Sequence, residues 1–400
     1  MNVNLVRIID YWIGAPVCFA LTVFNAAAEL AGLKRKIREP KKFLFIELSE
    51  MGSAILAYPA MAYLKKNYPD AELFFLIFAK NRASVDILNM MPRANVLTLD
   101  DRNLFFFFRD VIKFIVKIRK EKIDVAFDLE LFARSTAILS FLSGAPKRIG
   151  FHKYDMEGLY RGNLLTHKVQ YNFQQHMSKS FLSFVKIAGL TAKKSPAVEE
   201  RITDKDIVLA RYVSSKEQLD NIRKKLSDIN PAIASAKKLI ILNPSGGEIP
   251  IRAWPTANYI SLAKKILNDK DNFVILMGAA RDEKMAQSMQ TLIDDERCLN
   301  LAGQTTFTEL MDLFNAADIL ITNDSGPAHF ASLTPIKSFV FFGPETPVLY
   351  APLGAGSRAV FSGLPCSPCL SAFNHRSSAC RDNKCLRIIS VDEVYDILNL

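Results

Sequence analysis

The 400-residue sequence predicts an α/β protein with two parallel-sheet domains behind an apolar N-terminal helix. Three observations carry that expectation. Short apolar runs end in small or polar residues and give way to helical periodicity. The same alternation restarts near Lys237. A stretch without charge runs from Tyr11 to Ala28. The length exceeds one ordinary core and suits two domains.

Composition narrows the function classes. Half of the residues are hydrophobic and 23% are charged, which excludes disorder as a description of the whole. The formal charge of +10 points to an anionic partner, whether nucleic acid, phosphorylated substrate or membrane. The 28 Phe argue against nucleic acid. They fall in runs such as Phe105 to Phe108 and are not interleaved with Lys and Arg as stacking platforms are.

In the first 41 residues the apolar character continues past Glu29 to Leu33, and Lys34-Arg35-Lys36-Ile37-Arg38-Glu39-Pro40-Lys41-Lys42 follows. A signal peptide places its positive charge before the apolar stretch, so the order here is reversed. The apolar length lies at the lower edge for a spanning helix. Two membrane readings stay open: a single span with the basic side cytoplasmic, or a helix lying in the interface. A buried core helix is the third. The basic run favours anionic lipid, and residues 1–41 are expected to associate with a membrane.

In the first half, Phe43 to Leu48 ends in Ser49-Glu50-Met51-Gly52-Ser53, followed by a helical pattern to about Asn67; Ala71 to Phe78 and Asp124 to Leu129 are further runs. In the second half, Leu239 to Leu242 leads into Asn243-Pro244-Ser245-Gly246-Gly247, and Phe273 to Met277 into Gly278-Ala279-Ala280. Ile319 to Thr322 leads into Asn323-Asp324-Ser325-Gly326, and Ser338 to Phe342 into Gly343-Pro344. Strands that alternate with helices form a parallel sheet covered on both faces. Residues 190–236 are charged and helix-prone, which sets the expected domains at 42–225 and 226–400. Open parallel sheets bind ligands beyond the carboxyl ends of their strands. Two halves facing a central cleft would hold a donor in one and an acceptor in the other.

Asn323-Asp324-Ser325-Gly326-Pro327-Ala328-His329 follows a strand and opens a helix, where Ser325 and Gly326 can offer backbone N–H groups to phosphate. Asp324 can contact a sugar hydroxyl or a metal, and His329 lies one helical turn beyond Ser325. An N-cap with a surface histidine is the plainer reading. Ser245-Gly246-Gly247 followed by Arg252-Ala253-Trp254-Pro255 is a second candidate phosphate cradle. It is not a Walker motif, because no Gly-Lys-Ser/Thr follows.

Together these segments resemble glycosyltransferase family 9, the family of the lipopolysaccharide heptosyltransferases. The resemblance rests on Leu301-Ala302-Gly303-Gln304-Thr305, on Asn323 through His329, and on Phe342-Gly343-Pro344-Glu345-Thr346-Pro347. It extends to Phe45 to Pro59, Asp128 through Arg134-Ser135, Arg148-Ile149-Gly150 and the Arg-x-Trp-Pro segment, and covers nearly all of residues 42 to 365. It implies a GT-B fold of two Rossmann-like domains, inversion at the sugar and no metal in the chemistry. It assigns Ser245, Gly246, Gly247 and Arg252 to the donor diphosphate and Glu283 to the donor nucleoside. Asp324, Ser325, Gly326 and His329 fall to the donor sugar and phosphate. ADP-heptose is the implied donor and a lipid-linked saccharide the implied acceptor, at the cytoplasmic face of the bacterial inner membrane.

One position departs from the family. Its first loop reads Ser-x-x-Gly-Asp, with the Asp as general base, whereas Ser53 stands in that place here. A Ser hydroxyl cannot hold a proton at neutral pH as a carboxylate can, so Glu50 becomes the candidate base. Other readings are a nucleotide-sugar epimerase of the same fold and a non-catalytic membrane scaffold, the latter supported only by Ser53.

Of six Cys, Cys366, Cys369, Cys380 and Cys385 fall together. A C-x2-C followed by two further Cys has zinc-like elements, with His375 between the pairs. A structural metal site, free thiols and two local disulfides are open, with metal or thiols favoured in a reducing compartment.

Overall fold

The computed structural model describes residues 3–32, 39–152, 160–189, 198–247, 249–374 and 376–399, with side chains from Ile8 onward. The basic run at Lys34–Arg38 and His375 lie outside the described residues. The chain divides into two compact units, Met1–Val208 and Leu209–Leu400. The expected boundary at 225/226 falls later. It would cut through helix Lys216–Ile229, whereas that helix lies whole in the second unit, where the Lys225 ammonium bonds the Gln304 carbonyl (2.6 Å) and Glu309 (2.7 Å).

Each unit holds a six-stranded parallel sheet. In the first, β1 (Lys42–Ile46), β2 (Glu72–Phe78), β3 (Val96–Leu99), β4 (Val125–Asp128), β5 (Lys147–His152) and β6 (His167–Gln170) take the order β3-β2-β1-β4-β5-β6. In the second, β7 (Lys238–Asn243), β8 (Asn272–Leu276), β9 (Cys298–Asn300), β10 (Ile319–Asn323), β11 (Lys337–Phe342) and β12 (Ser357–Phe361) take the order β12-β11-β10-β7-β8-β9. The strand order reverses beside β1 and β4 in one sheet and beside β7 and β10 in the other. Those reversals open the crevices where doubly wound sheets take ligands.

Alternation of side chains across the sheet builds the first core. Leu44, Ile46, Phe74 and Leu76 meet Phe114 and Ile118 of helix Leu104–Glu121 and Leu139 of helix Arg134–Leu142. Phe43, Phe45, Phe75 and Phe127 turn to the other face and pack ring on ring, with Phe45 and Phe127 centroids 4.9 Å apart. In the second unit Trp254 is fully buried, stacks on Phe341 at 4.6 Å, and donates its indole N–H to the Ile389 carbonyl.

Five strands have no counterpart among the apolar runs: β3, β5, β6, β9 and β12. Four of them, β3, β6, β9 and β12, are the short edge strands of the two sheets, and the inner strand β5 is mixed in its residues. Lys147-Arg148 opens β5, and β12 is partly exposed along its whole length.

The N-terminal helix combines features of the membrane readings and of the core reading. Val3–Trp12 and Gly14–Leu30 run almost continuously through Ile13, whose N–H bonds the Ile9 carbonyl and whose carbonyl accepts from Val17. Ile8–Leu30 has a mean hydropathy of 1.5 and is long and apolar enough to cross a membrane, by length and composition. One of its faces is nevertheless part of the first unit. Cys18 is fully buried with Ala137 and Leu164. Thr22 Oγ1 accepts from the Asn163 N–H at 2.8 Å. Gly162, at φ +64°, lies so close that a Cβ would stand 2.6 Å from the Cys18 carbonyl oxygen. Asp10 accepts from the Arg134 and Ser135 N–H groups (both 3.0 Å) and pairs with the buried Arg134 guanidinium at 3.1 Å.

Asp10 therefore caps helix Arg134–Leu142 and neutralises its first residue at once. Asp10→Ala is expected to lower unfolding stability by about 2–4 kcal/mol, since it removes a cap and leaves a buried guanidinium without its carboxylate. Urea denaturation of the purified variant reads this directly, and an unchanged midpoint would mean that the helix does not support the unit.

Candidate active site

In the second unit the loops after β7, β8, β10 and β11 lie at the carboxyl end of the sheet, and Asn323 ties two of them together. Its amide group donates to the Pro244 and Ser245 carbonyls (3.0 and 3.1 Å), while its Oδ1 accepts from the Trp254 N–H (2.8 Å) and the Tyr259 hydroxyl (3.2 Å). One fully buried side chain thus sets the path of residues 244–254. Ser245 donates to Asp282 Oδ1 at 3.0 Å and accepts from the Gly247 N–H, and Asp282 Oδ2 accepts from the Ala279 N–H. Glycine is required at two points here. Gly247 has φ +65°, and a Cβ on Gly278 would stand 2.8 Å from the Asp282 Cβ.

The loops enclose a buried charge cluster. Arg252 donates to Glu345 at 2.8 Å and lies 3.7 Å from Asp324, and Arg376 reaches Glu345 at 3.7 Å. Asp324 and Glu345 are both almost fully buried. Burial pushes the Glu345 carboxyl up to about 8; Arg252 opposes the shift and the neighbouring Asp324 charge adds to it. Burial likewise raises Asp324, with Arg252 opposing. Two guanidiniums held beside acids that resist ionisation leave positive charge for an anionic ligand.

Ser325 precedes helix Gly326–Ala331 and donates its hydroxyl to the Asn323 carbonyl at 3.1 Å. His329 is buried, which sets aside the plainer reading of a surface histidine. Glu283 opens helix Glu283–Ile293 and is exposed. The structure thus brings Ser245, Gly246, Gly247, Arg252, Asp324, Ser325, Gly326 and His329 to one end of one sheet, with Glu283 at the next loop. Sequence reasoning missed Asp282, Glu345 and Arg376. Only Glu345 had a signal, its place in the Phe342-Gly343-Pro344-Glu345 string.

Cys366, Cys369, Cys380 and Cys385 are free thiols, and among the described residues no group of three or more His, Cys, Asp or Glu is gathered to hold a metal ion. Of the three open readings (metal, thiols and disulfides), the metal one finds no ligand set among the described residues, which leave out His375. The Cys380 thiol points to the Asp382 carbonyl, Cys369 Sγ accepts from Ser378, and Cys385 is buried under Gly343. The segment instead fixes the loop that carries Glu345. Cys369 and Leu370 donate their N–H groups to the Pro344 carbonyl, and Ser367 bonds the Gly343 carbonyl.

In the first unit the candidate base sits where β1 and β4 end. Glu130 accepts from the Leu48 N–H, the Ser49 N–H and the Ser49 hydroxyl, which binds the two loops together. Glu50 precedes helix Met51–Leu56, is half-buried, and accepts from the Ser53 hydroxyl at 3.3 Å. Glu47 is buried and accepts from the Glu50 N–H. Nearby, burial pushes the Asp128 carboxyl up to about 6 against the pull of its ion-pair partner Arg161 at 3.0 Å.

Comparison with known proteins decides the family. The profile of glycosyltransferase family 9 (heptosyltransferase) matches residues 111–378. The chain belongs to glycosyltransferase family 9. It is 22% identical over 359 residues to lipooligosaccharide heptosyltransferase 2 of Campylobacter jejuni, covering 88% of this chain and 96% of that protein. Among solved structures it is similar to the ADP-heptose LPS heptosyltransferase II of E. coli (TM-score 0.67, 20% identity, 90% of this chain and 97% of that one). It also resembles the E. coli heptosyltransferase WaaC with ADP (TM-score 0.62, 13% identity, 90% and 99%). These likenesses establish the GT-B fold. The family 9 chain is a glycosyltransferase enzyme.

Glu345 supplies a pH signature. Its folded value of about 8 stands above the usual 4.5, so the folded protein holds the proton longer. The stability it contributes is complete below about 4.5 and is lost as the pH rises through about 8. Melting temperatures taken from about pH 5 to about pH 9 should fall more steeply in the parental protein than in Glu345→Gln. Parallel curves would mean that Glu345 is ionised in the folded state.

Proposed function

We propose that this glycosyltransferase moves heptose from ADP-heptose to a lipid-linked saccharide during lipopolysaccharide core assembly at the bacterial envelope, on the cytoplasmic face of the inner membrane. The observation that carries the donor side is the buried cluster of Arg252, Asp324 and Glu345 under glycine-built loops at the reversal of strand order. The names of the relatives support heptose, ADP and lipopolysaccharide.

In this scheme the donor diphosphate lies against Ser245, Gly246 and Gly247, with Arg252 and the backbone N–H groups of residues 325–326 stabilising the charge that develops on the leaving ADP. Asp324 and His329 contact the donor sugar and phosphate, and Glu283 the nucleoside. Glu50 takes the proton from the acceptor hydroxyl as that oxygen attacks the anomeric carbon from the face opposite the departing diphosphate, which inverts the configuration. The Ser53 hydroxyl, 3.3 Å from Glu50, orients the carboxylate. No cofactor enters the scheme.

Asp324→Ala and His329→Ala should each weaken ADP-heptose binding by roughly 1.5–3 kcal/mol, the usual loss for a hydrogen bond to a charged group. Calorimetric titration measures this, and parental affinity and turnover in both variants would remove the donor assignment.

Glu50→Gln keeps the size of the side chain and loses the proton acceptor, so turnover should fall by at least about 10²-fold while donor affinity changes little. Ser53→Asp in that background should restore part of the rate. A Glu50→Gln enzyme with parental turnover places the base elsewhere and leaves the transferase reading standing.

A further inference from the structure

Helix Leu104–Glu121 starts from Asn103, whose side chain accepts the Phe106 N–H, and ends at Lys122 in the left-handed conformation. Its inner face supplies Phe114 and Ile118 to the core. Its outer face is not the polar surface that a solvated helix presents. Phe105 (72% exposed), Phe108, Ile112 and Val116 are all exposed, and at 3.6 residues per turn they fall within roughly 80° of arc. Beside that ridge run Arg109, Lys113, Lys117 and Lys120, and Lys113 is 68% exposed even while near Asp110. An exposed apolar strip of this length on a soluble surface marks an interaction site. A basic flank beside aromatic residues matches the headgroup and acyl boundary of an anionic bilayer.

The N-terminal helix carries an apolar ridge of its own on the same unit, without the basic flank among the described side chains. Its buried face carries Asp10, Gly14, Cys18 and Asn25, while Ile8, Trp12, Phe19, Val23 and Leu30 are exposed on the far side. Helix Arg134–Leu142 packs against both: Leu139 shares the cluster of Phe114 and Ile118, and Ala137 that of Cys18. Helix Arg134–Leu142 thus links the two helices within the first unit, and each of them exposes an apolar ridge. A helix pinned to its domain by Asp10, Cys18 and Thr22 cannot also stand free across a bilayer.

We propose that these exposed ridges dock the first unit on a membrane: the ridge Phe105, Phe108, Ile112 and Val116 with its basic flank inserts into an anionic lipid surface, and the N-terminal helix lies in the same interface without crossing it. The proposal goes beyond the transfer reaction and does not depend on the donor or acceptor assignment.

The test uses the full chain in flotation with vesicles of phosphatidylcholine alone or mixed with phosphatidylglycerol. The triple variant Phe105→Ser, Phe108→Ser, Ile112→Ser should partition at least about tenfold less to the mixed vesicles. Lys113→Glu, Lys120→Glu should bind mixed vesicles no better than the neutral ones. Because every altered side chain is exposed, parental melting and ADP binding are expected in both, and those readings separate a docking defect from a failed donor site. Parental flotation of the serine variant overturns the proposal. So does a change in its oligomeric state without a change in flotation, which would give the ridge to a second copy of the chain. Parental protein that resists alkaline carbonate extraction from membranes would span the bilayer and overturn the interfacial placement.

Discussion

The side-chain amide of Asn323 is the contact on which the second unit's site depends. β10 and β7 are neighbours, and their loops would diverge freely beyond the last ladder bond. Asn323 prevents this by using its amide N–H groups and its carbonyl oxygen together, bonding the 244–245 backbone on one side and Trp254 and Tyr259 on the other. An aspartate would lack the two donors, and a leucine would take this partner from the Pro244 and Ser245 carbonyls and the Trp254 N–H, leaving the Tyr259 hydroxyl only the Asn243 carbonyl. With that tie made, Arg252 is held two residues before a fully buried Trp254, and its guanidinium has little freedom except toward Asp324 and Glu345. Preorganisation of a positive group costs nothing further when an anionic ligand arrives.

Much of this was legible in the sequence because the requirement was local. The central strands β1, β2, β4, β7, β8, β10 and β11 are covered on both faces and so read as apolar runs. The loops after β7, β8 and β10 announce themselves through glycines that close packing demands. What could not be read depended on distance along the chain. Arg252 and Glu345 are 93 residues apart, and nothing in either neighbourhood names the other. Arg376 sits in a segment whose cysteine spacing drew attention to metal, yet spacing does not say where each thiol points.

The N-terminal helix shows the same limit from the other side. Apolar composition does not distinguish a face turned to lipid from one turned to the protein's own core. The signal was present in its polar and small residues: Asp10, Gly14, Cys18, Thr22 and Asn25 recur at three- and four-residue intervals on one side. Charge and close approach at helical spacing mark the side that meets the domain, and the aromatic side is what remains.

That docking also sets an order of events during synthesis. The helix is made well before its partners: Arg134, Ala137 and Asn163–Leu164 emerge more than a hundred residues later. At ordinary elongation rates the wait is on the order of ten seconds. Throughout it the apolar helix has no place to pack, and whatever captures such helices reaches it before its own domain exists. If the proposed docking face is right, it would thereby meet the membrane while the rest of the chain is still being translated.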